Sequence, residues 1–169
     1  MGVHIDEFLH WKDHFNYVKS KLASSTFALS KVRNILPEKT KLLIYNSLFR
    51  SHLEYCIIAW GKSNKLQISK LQSLQKKCIR YISNSRPDAH VNPLLLKYDL
   101  LNVSDMVDYN LGIFMYQHTY GGLPISFDNF FQKLHSHNRN LNYKIANLKH
   151  AHLKSIPVNS LPMFGILSV

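Results

Sequence analysis

The stretch IYNSLFRSHLEYCIIAWGKSNKLQISKLQSLQKKCIRYI, residues 44–82, decides the fold. In its second half Ile68, Leu71, Leu74, Cys78 and Ile82 recur at steps of three and four, one stripe of an amphipathic helix. Lys65, Lys70, Lys76, Lys77 and Arg80 fall among the polar positions of the same segment. From Tyr55 to Pro87 there are seven Lys/Arg and no Asp or Glu. A helix with a core face and an unopposed cationic face docks on a fold while facing a polyanion. The competing reading is a solvated basic face, because a basic cluster by itself is a weak motif.

Outward from this helix the charge is uneven. The formal net charge is +11. Residues 1–54 carry eight basic and five acidic residues, and residues 88–132 carry one basic residue, Lys97, against five acidic ones. Residues 133–169 carry five basic residues and no acidic ones. Two basic zones therefore flank an acidic one, a pattern expected for a phosphate-rich partner or an anionic surface. The apolar fraction of 46% is ample for a core and too high for a disordered chain. At 169 residues one domain is expected, or two small ones. His4, Asp6 and Glu7 stand where a signal peptide needs an apolar run, and no apolar run approaches a membrane span. Cys56 and Cys78 lie in apolar sequence and read as two buried thiols. The expectation is a soluble, intracellular chain.

Before the basic helix, residues 1–9 read as the end of something extended. A helix should follow, with Phe15, Val18, Leu22, Leu29, Val32 and Ile35–Leu36 at helical spacing and Asp13 or Asp6 near its start. Pro37 ends it and opens a second helix with Leu42, Leu43, Tyr45, Leu48, Phe49 and Leu53 inward. Gly61 breaks the pattern, and Ser63 or Asn64 caps the basic third helix. Ser83–Pro87 is a polar linker and the expected domain boundary. Beyond it come a short turn at 93–97, a fourth helix capped by Ser104 or Asp105, and a stop at Gly121-Gly122. Ser126 is placed to cap a shorter helix containing Phe127, Phe130 and Phe131. From His135 the sequence is rich in Asn, His and Lys, and reads as a flexible basic tail over 135–169. Neither a repeat nor a strand beyond the first residues is expected. The fold class is all-α.

Motifs for chemistry are sparse. His10 and His14 are four apart, and His135/His137 and His150/His152 form two His-x-His pairs, but no Cys accompanies any of them, and no metal site is assigned. There is no Gly-x-Ser-x-Gly turn and no phosphate-binding glycine loop. Tyr45, Tyr55 and Trp60 read as core aromatics rather than stacking platforms.

MGVHIDEFLHWKDHF resembles the LGV-x-ID-x-x-L-x-W-x-x-H segment that closes the palm of reverse transcriptases from non-LTR retrotransposons, the LINE-type elements of the jockey-like group. LPEKTKLLIYNSLFRSHLEYCIIAWG is similar to that family's thumb stretch, LP-x-x-x-x-x-x-LY-x-SL-x-x-S-x-L-x-Y…W-G. LQSLQKKCIRYI resembles the following L-x-x-x-Q-x-x-x-x-R-x-I helix, and LPISFDNFF the downstream LP-x-x-F-x-x-x-F region. The similarity is collinear over residues 2–140. It implies a palm remnant at 1–9, a thumb-like three-helix bundle at 10–83, a post-thumb helical region at 84–134 and the tail beyond.

The resemblance implies a piece of an RNA-directed DNA polymerase. The adjacent Asp-Asp pair that helps hold two metal ions in that family does not occur in this sequence. The C-terminal VNSLPMFGILSV stops where the family continues to a Trp-Asn-Ser-Leu-Pro-like block. A non-catalytic, truncated fragment without cofactor is expected; the parent polymerase would use Mg²⁺. Lys62, Lys65, Lys70, Lys76, Lys77, Arg80 and Arg86 are the candidate contacts to the phosphates of an RNA/DNA template–primer duplex. The family places such a chain in a nuclear or cytoplasmic ribonucleoprotein. The alternative is a non-functional retroelement relic or a helical protein–protein module.

Overall fold

The computed structural model describes residues 2–127, and beyond them residues 131–134, 142–145 and 156–157. The described part through residue 127 is helical, in keeping with the all-α reading. The chain divides into two compact units, Met1–Val107 and Asp108–Val169.

In the first unit α1 runs Lys12–Val32 and buries His14, Phe15, Val18, Leu22, Ser25, Thr26 and Leu29. No side chain caps it: Trp11 precedes it in the left-handed region, φ 60°, and Asp13 lies in the first turn. α2 (Glu38–Ile44) continues through a π-helical turn, Tyr45–Arg50, into α3 (Ser51–Glu54). The Ser51 N–H donates to the Asn46 carbonyl five residues back, the signature of the widened turn. The inward set is therefore Lys41, Tyr45, Phe49 and Leu53. Spacing by four drifts about 40° per step around a regular α-helix, and the widened turn offsets that drift. The expectation of Leu43 and Leu48 inside is corrected: they are 60% and 44% exposed, Leu43 lying about 200° around α2 from the buried Lys41 and Leu48 within the widened turn.

α4 (Ile57–Trp60) and α5 (Lys65–Ile82) follow. Asn64 caps α5 as expected, its Oδ1 accepting from the N–H groups of Leu66 at 3.0 Å and Gln67 at 3.2 Å. α5 packs along α1, burying Ile68, Leu71, Gln75, Cys78, Ile79 and Ile82. Leu74 is half-buried at the edge of the core, and Gln75 takes the central place. α6 (Asn92–Lys97) is the expected short turn. α7 (Val103–Thr119) begins with Asn102, whose Oδ1 accepts from the Asp105 N–H at 3.0 Å, so neither Ser104 nor Asp105 is its cap.

Aromatic packing closes the core. The Trp60 ring meets Phe15 edge-on at 5.2 Å, and its Nε1–H donates to the Tyr55 carbonyl at 3.0 Å. Tyr45 stacks on Phe49 at 5.1 Å. Tyr55 and Cys56 correct the sequence reading, since both are exposed. Cys56 holds a left-handed φ of 51° just before α4, which turns its side chain out of the core. Gly61 follows Trp60 because nothing larger fits: a Cβ there would lie 2.6 Å from the Ile57 carbonyl oxygen and 2.7 Å from Val107 Cγ2.

The segment at 83–87 is tied to its neighbours by hydrogen bonds. The buried Lys41 Nζ donates to the Arg33 carbonyl at 2.9 Å, the Tyr81 carbonyl at 3.2 Å and Asn84 Oδ1 at 2.9 Å. It thereby satisfies carbonyls at the ends of α1 and α5. Burial lowers its pKa. Arg33 Nη2 donates to the Ser85 carbonyl at 2.8 Å.

In the second unit, Gly121 with φ 72° follows the end of α7. A 3₁₀ turn at Ile125–Phe127 stands where a helix capped by Ser126 was expected. Phe131 instead opens a strand, and Phe130 lies outside the described residues. β1 (Phe131–Leu134), β2 (Asn142–Ile145) and β3 (Ile156–Pro157) form an antiparallel sheet in that order, with Phe131 opposite Ile145 and Tyr143 opposite Ile156. The sequence reading has no strand here. The Phe114 ring meets those of Phe127 at 5.8 Å and Phe131 at 6.0 Å.

Candidate nucleic-acid interface

α5 has two sides of opposite character. Its buried side is set by Ile68, Leu71, Gln75, Cys78, Ile79 and Ile82. At 100° per residue, Leu66, Ser69, Lys70, Ser73, Lys76 and Lys77 fall on the other side, and all six are exposed. Lys65, also exposed, opens the helix. Lys70 and Lys77 are two turns apart, about 10 Å along the axis, which spans roughly three phosphates of one strand. The helix carries no carboxylate to neutralise them.

The remaining candidates are differently placed. Lys62 is exposed on the turn between α4 and α5. Arg80 is half-buried, and its Nε–H donates to the Ala89 carbonyl at 3.0 Å, bracing the segment after α5. Arg86 stands on that segment, 3.4 Å from Asp88 Oδ1. Lys70, Lys76 and Lys77 therefore lie on the outward side of α5, with Lys65 at its first position; Arg80 lies in the last turn of the same helix and is turned to Ala89, and Arg86 stands on the segment beyond.

Behind the face, Gln75 organises the core. Its Nε2 donates to Tyr45 Oη at 2.9 Å and to the Leu101 carbonyl at 2.8 Å, and its Oε1 accepts from the Val103 N–H at 3.1 Å. Every hydrogen-bonding atom of the buried amide is engaged, as a buried polar group requires. Burial pushes the Tyr45 hydroxyl up to about 12, and likewise the Cys78 thiol, which contacts Thr26 Oγ1 at 3.2 Å. Both stay neutral and structural.

At the N-terminal end of α5 lies an open pocket of about 350 Å³, lined by Gly61, Lys62, Lys65, Ser69, Gln72 and Ser104, with Ile68 and Val107 as its apolar wall. Sequence reasoning found its lysines and missed Gln72 and Ser104. No spacing rule links a mid-helix Gln to the start of another helix; only packing brings them together.

His10 and His14 do not form a pair. α1 begins only at Lys12, so His10 is outside the helix, while His14 is buried against Trp60. Among the described residues no group of three or more His, Cys, Asp or Glu could hold a metal ion. The His135/His137 and His150/His152 pairs lie outside the described residues. No helix among the described residues is long and apolar enough to cross a membrane. Comparison of the chain with family models, with curated proteins and with solved structures finds no match.

Proposed function

We propose that this chain is a nucleic-acid-binding module without chemistry of its own, corresponding to the thumb and post-thumb part of a reverse transcriptase of the non-LTR type. One observation carries the reading: Lys65, Lys70, Lys76 and Lys77 are exposed on a helix whose opposite side is anchored in the core. Such a face meets phosphates without requiring a rearrangement of the fold. It holds no base-reading constellation, so contact to backbone rather than sequence is the expected mode. The absent Asp-Asp pair leaves polymerisation to whatever palm the parent enzyme carries.

The test is an equilibrium titration with a labelled RNA–DNA duplex at several salt concentrations. Four phosphate contacts give a log–log slope of about −3 to −3.5. The double variant Lys70→Gln/Lys77→Gln should lower the magnitude of that slope by about 1.5. Binding indifferent to salt, or none at low salt, favours the alternative of a relic or a helical protein–protein module. Leu43 and Leu48, exposed on the second helical stretch, are the feature that favours that alternative.

A further inference from the structure

The pocket at the start of α5 is more than a dent in a basic surface. Its polar lining comes from three places in the chain: the turn after Trp60, the first two turns of α5, and the first turn of α7. The Lys65 ammonium, the Gln72 amide and the Ser104 hydroxyl all border it, and none has a hydrogen-bond partner among the described residues. No carboxylate lines it. A cavity edged by donors of three kinds, with cations and no acidic side chain, matches a tetrahedral oxyanion. Lys65 supplies charge, while the amide and hydroxyl supply direction. Its rear wall is fixed, because Gly61 lets Val107 approach and Ile68 is buried.

We propose that this pocket is a phosphate subsite that seats one backbone phosphate of the strand lying along α5. The inference rests on the nucleic-acid reading above and deepens it. Along the outward side of α5 the lysines meet phosphates as mobile point charges. At this end a phosphate enters a concavity and gains neutral hydrogen bonds as well, which fixes where the strand starts on the helix.

The neutral donors make the proposal separable from general electrostatics. Gln72→Leu and Ser104→Ala change no charge. In the full chain, with the labelled RNA–DNA duplex as probe, each should weaken binding by about ten- to a hundredfold while leaving the salt slope unchanged, as loss of one hydrogen bond to a charged group implies. Lys65→Gln should lower the slope magnitude by about 0.7–0.9. Thermal midpoints equal to that of the parent chain establish that the variants are folded. If Gln72→Leu and Ser104→Ala bind like the parent while Lys70→Gln/Lys77→Gln is weakened, the subsite is overturned and the nucleic-acid reading stands. If the parent chain binds no duplex, titration with inorganic phosphate decides the pocket. Saturable shifts of the Gln72 side-chain amide resonances, lost in Lys65→Gln, retain it as a site for free phosphate; their absence overturns it together with the nucleic-acid reading.

Discussion

His14 is the buried residue whose chemistry is least reconciled with its surroundings. It is 1% exposed, its Nδ1 accepts from the His4 N–H at 3.4 Å, and its Nε2 has no hydrogen-bond partner among the described residues. Burial, and secondarily the proximity of His4, lower its pKa below the usual histidine value. The folded chain therefore favours the neutral ring, whereas the unfolded chain takes up a proton at about 6.5. Because the unfolded state binds more protons, stability rises with pH through this window and is lost on acidification below about 6.5. Urea midpoints at pH 8 and pH 5 should differ more for the parent than for His14→Phe, which has nothing to titrate. An equal difference in the two proteins would show that the ring is protonated in the folded state. The spacing of His10 and His14 in the sequence does not show this, because burial of one ring and exposure of the other depend on where α1 begins.

The elements show where periodicity suffices. α5 was readable because its apolar residues keep α-helical spacing from Ile68 to Ile82 and its Asn64 cap is a local interaction. Its one deep polar residue was not, since Gln75 in a lysine-rich helix reads as solvated. Its burial follows from three partners supplied by other elements: Tyr45, Leu101 and Val103. Gln75→Leu would leave the Leu101 carbonyl and the Val103 N–H without partners, and the expected loss is about 2–4 kcal/mol in urea unfolding. A loss below about 0.5 kcal/mol would mean that water or a shifted backbone replaces the amide. The second helical stretch misled the periodicity reading for a local reason, the π turn, which shifts the inward set by carrying one hydrogen bond across five residues. Lys41, a cation in the core, was equally illegible, because its acceptors, at the ends of α1 and α5 and on Asn84, are brought together only by packing.

For the whole molecule, the two-unit division has a consequence for truncation. Both buried apolar clusters, from Trp11 to Val107, lie within Met1–Val107. A chain ending at Leu134 loses β2 and β3, and with them the partners of β1. Its main thermal transition should nonetheless match that of the full chain, while nucleic-acid affinity falls because Arg139, Lys144, Lys149 and Lys154 are removed. A midpoint lowered by more than about 5 °C would show that the two units unfold as one. The helical class, the basic face of α5 and the break at Trp60-Gly61 were legible in the chain alone. These rest on residues close in the chain, whose spacing and side-chain volume act locally. Packing alone settles that Arg80 braces a loop and that Lys65, Gln72 and Ser104 border one pocket. Those outcomes depend on which surfaces meet once the core has closed, and contacts between residues dozens of positions apart leave no periodic trace in the sequence.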